Sequence, residues 1–163
     1  MVLVKNIVHI DSNSWRLFFV HFLGIEFSPV SSVERLISLV GGALSIFMLY
    51  LATDHILGAW AVSPVLGSMG ASAVLVFGVP RGALSQPWPL VGGHLISAAI
   101  GVTCARFISS IEFSAACAVG LAIGAMHYLR CLHPPGGATA LIAVSGGQVY
   151  AASVIIICWP LWR

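Results

Sequence analysis

The stretch RCLHPPGGATAL, Arg130 to Leu141, places a titratable ring, His133, directly before two prolines and two glycines in an otherwise apolar tract. Prolines and glycines interrupt helix interiors. A proline suits the first turn of a helix, however, where its missing N–H is not needed. The pattern therefore predicts a helix starting at Pro134. The exposed N–H groups and positive dipole end of such a start form an anion site without any formal charge. Gly136 and Gly137 leave the backbone open to close approach, Ala138 keeps the surface small, and Thr139 adds a hydroxyl donor. GASAVLV at Gly70 matches GATALIA at Gly137, setting Ser72 opposite Thr139. Gly67, Gly70, Ala71 and Ser72 are thus expected to form a second helix start facing the first, so that the two hold a small anion from both sides. His94, which follows Gly92 and Gly93, is expected to donate to the same ligand, as is His133. Arg130 and Arg81 are candidates for electrostatic attraction or gating. Each residue also has a plainer reading: His133 as a helix cap, His94 as a bond between packed helices, and the arginines as topology anchors.

The surroundings of these residues are a membrane. The chain has 163 residues, of which 59% are hydrophobic and 7% charged, against roughly 25% charged in soluble domains. No Asp, Glu, Lys or Arg occurs in 36–53, 55–80, 82–105, 113–129 or 131–162. A helical crossing takes about 20 apolar residues, so the chain reads as an all-α polytopic membrane protein. Period-two alternation, the mark of an outer-membrane barrel, is missing. An ionisable group at membrane depth is a functional candidate by default. The four cysteines lack CxxC spacing and read as small apolar residues. No metal site, cofactor or nucleic-acid partner is expected. No GK[ST] loop points to ATP hydrolysis, and no Ser–His, Glu–His or paired-carboxylate arrangement points to an enzyme.

About six membrane-embedded helices should position the site. Residues 1–30 read as an N-terminal amphipathic segment in the interface, with Trp15, Phe18, Phe19, Phe22 and Leu23 at helical spacing. Residues 31–163 form the transmembrane domain. Its first span is expected over about Val33 to Thr53, with Asp54 and His55 ending it in water. Further spans include VGGHLISAAIGVTCARF and Phe113 to Leu129, and RGALSQPWP serves as a connector. Glu34, Gly42, Met48, Tyr50 and Leu51 recur at one offset as Glu112, Gly120, Met126, Tyr128 and Leu129. Two three-helix repeats follow, about 33–108 and 112–163, each with a short helix opened by Pro and Gly. Three crossings per unit make the copies inverted; re-entrant short helices make them parallel. With a cytoplasmic N-terminus, six crossings leave only Arg106 outside, which the positive-inside rule prefers over four. Gly120 with Gly124, and Ser97 with Gly101, read as helix-packing pairs.

Three blocks, PVLGSMGASAVLVFG, QPWPLVGGHLISAAIGV and RCLHPPGGATALIAVSGG, resemble the HPP family of small integral membrane proteins, named for the motif present here as His133-Pro134-Pro135. The resemblance implies a domain of a few membrane helices and, from similar plastid and cyanobacterial proteins, a link to nitrite transport. Some members carry a cytoplasmic cystathionine-β-synthase-type domain, which is not recognised in this chain. The expected function is a channel or secondary transporter for a small monovalent anion, nitrite favoured, in a bacterial inner membrane. Its partners would be the lipid bilayer, the anion and, in a homo-oligomer, further copies of itself. The alternative is a non-transporting scaffold or sensor subunit.

Overall fold

The computed structural model describes residues 22–23, 30–57 and 62–146, with side chains placed for all of these except 53–57 and 62–66. Among the described residues the α-helices with stated bounds are α1 (Ser32–Leu57), α2 (Val62–Ala73), α3 (Pro87–Phe107), α4 (Ile111–Tyr128) and α5 (Pro134–Ser145). A π-turn, Val74–Gly78, continues α2 directly, and a 3₁₀ turn, Ala83–Ser85, precedes α3. No strand occurs among the described residues. Helices α1, α3 and α4 are long and apolar enough to cross a membrane. Helices α2 and α5 have 12 residues each, roughly 18 Å at 1.5 Å per residue, or about half a bilayer core. The expected long–short–long, long–short order is present. The sixth helix and, apart from Phe22, Leu23 and Val30, the amphipathic segment lie outside the described residues.

Three boundaries differ from the sequence reading, each for a local reason. Helix α1 continues to Leu57 and so carries Asp54 and His55 in its last turn. Helix α3 starts at Pro87 and takes in the last three residues of the expected connector, Pro87 to Pro89, because prolines in a first turn remove N–H groups that have no helical acceptor. Helix α2 starts at Val62, with Pro64 tolerated in its first turn for the same reason. Gly70, Ala71 and Ser72 therefore lie in the last turn of α2, and the second helix start expected there is absent.

Helices α3, α4 and α5 pack into one unit. Its core combines Cys104 of α3, Ala118, Ala122 and Met126 of α4, Ala140 and Val144 of α5, and Cys131 between α4 and α5. The cysteines thus act as small apolar residues. Between α3 and α5 the contact is nearly backbone to backbone. A Cβ added at Gly101 would stand 2.6 Å from Ala140 O and 2.7 Å from Ala143 Cβ. One added at Gly136 would stand 2.9 Å from Gly93 O and 2.8 Å from Ser97 Oγ. One added at Gly93 would stand 2.5 Å from His133 Cβ. Gly93, Ser97 and Gly101 recur every four residues and so form one stripe on α3. The second expected packing pair does not behave this way: among the described residues, an added Cβ at Gly120 or Gly124 meets nothing within 4 Å. Helix α1 meets the π-turn where Ser38 Oγ donates to Phe77 O and Gly41 makes room for the Phe77 ring.

This asymmetry generates a direct expectation. Gly101→Ala should destabilise the protein by about 1–3 kcal/mol, the usual cost of overpacking, because the added methyl meets backbone. Gly120→Ala should leave the melting temperature in detergent unchanged or slightly raised. Equal melting temperatures for the two variants would contradict the packing described.

Candidate functional site

Four polar side chains from three helices converge inside the packed unit. Ser72 comes from the last turn of α2, His94 from α3, and His133 and Thr139 from the start and middle of α5. All are buried: His133 and Thr139 are 0% exposed, His94 1% and Ser72 5%. Ser72 Oγ lies 2.9 Å from His94 Nε2 and 2.9 Å from His133 Nε2. His94 Nδ1 lies 2.7 Å from Thr139 Oγ1. His133 Nδ1 lies 2.8 Å from the carbonyl oxygen of Leu84, in the 3₁₀ turn. The two rings meet edge to face, with centroids 5.1 Å apart and planes at 67°. All four ring nitrogens therefore have partners within the protein, as groups shielded from water must.

The direction of each bond follows from counting protons. Leu84 O can only accept, so His133 Nδ1 carries a proton and donates it. In the neutral ring, His133 Nε2 is then bare and must accept the hydroxyl proton of Ser72. Ser72 has no second proton, so it accepts from His94 Nε2–H. His94 Nδ1 is consequently bare and accepts from Thr139 O–H. The uncharged cluster has one satisfied arrangement, running Thr139 → His94 → Ser72 → His133 → Leu84. The two histidines hold opposite tautomers.

Local structure explains how each residue arrives. His133 precedes α5 in extended conformation, with φ −137° and ψ 106°, and its side chain makes no cap bond. Its ring is therefore not the helix cap of the plainer reading. Its carbonyl accepts from Gly136 N at 2.8 Å. Pro134 and Pro135 have no N–H, so the first three positions of α5 offer none to a ligand. The backbone N–H groups on which an anion site was expected are therefore missing or already used at these positions. Helix α4 is closed by a Schellman-type turn: Cys131 N donates to Met126 O at 2.9 Å and Arg130 N to His127 O at 3.2 Å. This turn aims the chain back toward α3, and Trp88 Nε1 fastens it by donating to Leu129 O at 3.1 Å. Arg130 occupies the left-handed position of the turn, with φ 55°, where glycine is usual.

Of the residues singled out from sequence, the structure brings Ser72, His94, His133 and Thr139 together and presses Gly136 against α3. Ser72 and Thr139, paired by the repeat, bind the two nitrogens of the same ring. Gly137 and Ala138 are half-buried, and a Cβ at Gly137 would meet nothing within 4 Å. Gly67 and Ala71 are exposed, and Gly70 lines a groove with Ser38, Gly42 and Phe77 of α1 and the π-turn. Arg81 is exposed in the turn after the π-turn. Arg130 is exposed too, and it borders a pocket of about 180 Å³ with Leu84, Met126, His127 and Leu132. This pocket adjoins the backbone that holds His133. Leu84 was not foreseen, because it contributes a carbonyl that any residue type could supply. Ser85, buried beside it, donates to Leu75 O at 2.9 Å and ties the 3₁₀ turn to the π-turn.

Membrane-length helices with polar side chains gathered inside the bundle define an integral membrane protein. The transmembrane region of the HPP family matches residues 28–162, and the chain belongs to that family. Two transmembrane proteins of Dictyostelium discoideum are similar: one is 48% identical over 88 residues, 52% of this chain and 28% of its own, and the other 48% over 86 residues, 50% and 30% respectively. The matched part of the chain spans less than a third of either relative. No solved structure matches.

Two substitutions test the geometry. His133→Ala should cost about 1–3 kcal/mol, because it leaves Leu84 O buried without its donor. Arg130→Gly should stabilise the protein by about 1 kcal/mol through relief of the left-handed backbone. Thermal melts in detergent check both signs.

Proposed function

We propose that the protein is a channel or secondary transporter for a small monovalent anion, with nitrite the favoured substrate through its family. The observation that carries this reading is the convergence of both Nε2 atoms on one point, 2.9 Å from each, inside a membrane-spanning bundle. Stripping water from an anion is costly unless fixed donors replace it. Ser72 Oγ now fills the point where an anion oxygen would accept from the rings. Transport then requires α2 to withdraw Ser72. That helix is suited to movement: it is half-length, it ends in a π-turn, a feature common at functional sites, and Gly67 and Gly70 leave space around it. Alternating motion of one repeat against the other is how many repeat-built transporters work. We place the protein in a bacterial inner (plasma) membrane with its N-terminus cytoplasmic, and we assign it no enzymatic step.

One observation favours a non-transporting scaffold or sensor subunit: the rings satisfy one another through Ser72 and Thr139, so the closed cluster needs no ligand.

Flux in liposomes separates the two. The purified protein should carry nitrite faster than protein-free vesicles, in competition with nitrate, formate or chloride. His94→Ala should lower nitrite flux about ten- to hundredfold, the effect of losing one hydrogen bond to a charged ligand. Absence of flux for all four anions would favour the scaffold.

A further inference from the structure

The cluster holds a feature that anion binding alone does not require. Each of its hydroxyls has a second acceptor within reach. Ser72 Oγ lies 3.1 Å from Ser68 O, one turn back in α2. Thr139 Oγ1 lies 3.3 Å from Pro135 O, one turn back in α5. In the uncharged cluster neither contact carries a proton, since Ser72 donates to His133 and Thr139 to His94. Each becomes useful when a proton is added. If His133 Nε2 is protonated, Ser72 turns its O–H to Ser68 O and accepts from both Nε2–H groups. No donor or acceptor loses its partner, and no heavy atom moves.

The geometry points to a proton-binding site at His133, with the Ser72 hydroxyl as its switch, that takes up one proton together with each anion. This deepens the anion-transport reading and rests on it. His133 is the ring that charges, because its Nδ1–H already donates to a backbone carbonyl, a stronger acceptor for a cation than the Thr139 hydroxyl facing His94. A second proton on His94 is opposed by a like charge with ring centroids 5.1 Å apart. The groups facing the pair are Ser72 from α2, Leu84 O from the 3₁₀ turn, and Thr139 from α5. Cys131, on the turn after α4, sets its carbonyl against Gly93 and its side chain against Gly92. Arg130 lines the exposed pocket beside Leu84. No carboxylate lines that pocket.

Coupling follows from the donor count. With His133 neutral, the point filled by Ser72 Oγ faces one N–H and one lone pair, which repels an anion. With His133 charged, it faces two N–H donors and a positive charge. A monovalent anion therefore binds with the proton, and the pair crosses without net charge.

The test uses the full chain in liposomes holding a trapped pH dye, with potassium and valinomycin to set the membrane potential. Nitrate serves as probe beside nitrite, because nitrate carries no proton across protein-free vesicles. The expected result is one proton entering per anion, at a rate unchanged between opposite potentials. His133→Gln keeps an N–H for Leu84 O but cannot titrate; it should abolish proton entry and cut anion flux at least tenfold. Gly120→Ala, which lies outside the cluster, should keep the one-to-one ratio, and melting temperatures confirm that both variants fold. Anion flux that follows the potential without proton entry would overturn the proton site and leave the anion reading standing. No anion flux above protein-free vesicles would overturn both.

Discussion

Two imidazoles are buried where water cannot reach them, and one serine hydroxyl has a single proton to give. That shortage governs the rest of the site. A polar group in hydrocarbon must find its partner within the protein. Four ring nitrogens therefore have to be matched by Ser72, Thr139 and the carbonyl of Leu84. The match is possible only with the histidines in opposite tautomers and every donor pointing one way. Stability and the proposed function then share the same groups. A change that freed the rings for a ligand would leave their present partners unsatisfied, so the cluster fastens α2, α3 and α5 together.

The fold reads as a means of bringing those groups together. The close approach of α3 and α5 depends on Gly93, Ser97, Gly101 and Gly136, which keep side-chain volume out of the interface. The turn after α4 returns the chain to α3, at the cost of a left-handed Arg130. Double proline then starts α5 at once and keeps His133 extended in front of it. The HPP motif thus positions a ring at a helix entrance rather than exposing the helix dipole to a ligand.

Much of this was legible in the sequence. A histidine at membrane depth, a glycine pair ahead of a second histidine, and the pairing of Ser72 with Thr139 all named residues that meet in space. The spacing of Ser97 and Gly101 announced a packed interface. Other parts were not legible, for physical reasons. Prolines mark a helix start only to within a turn, so Val62 rather than Gly67 begins α2, and Gly70 and Ala71 drop out of the cluster. Gly120 and Gly124 show the same spacing as Ser97 and Gly101 yet meet nothing within 4 Å among the described residues, because spacing reveals a small face and not what covers it. The role of Leu84 belongs to its backbone, which side-chain pattern does not encode.

The central claim is the direction of the hydrogen-bond chain, and nitrogen-15 NMR of protein labelled at histidine, in lipid at alkaline pH, reads it directly. The account predicts one buried histidine protonated at Nδ1 and bare at Nε2, assigned to His133, and another protonated at Nε2 and bare at Nδ1, assigned to His94. The same tautomer at both positions would contradict it.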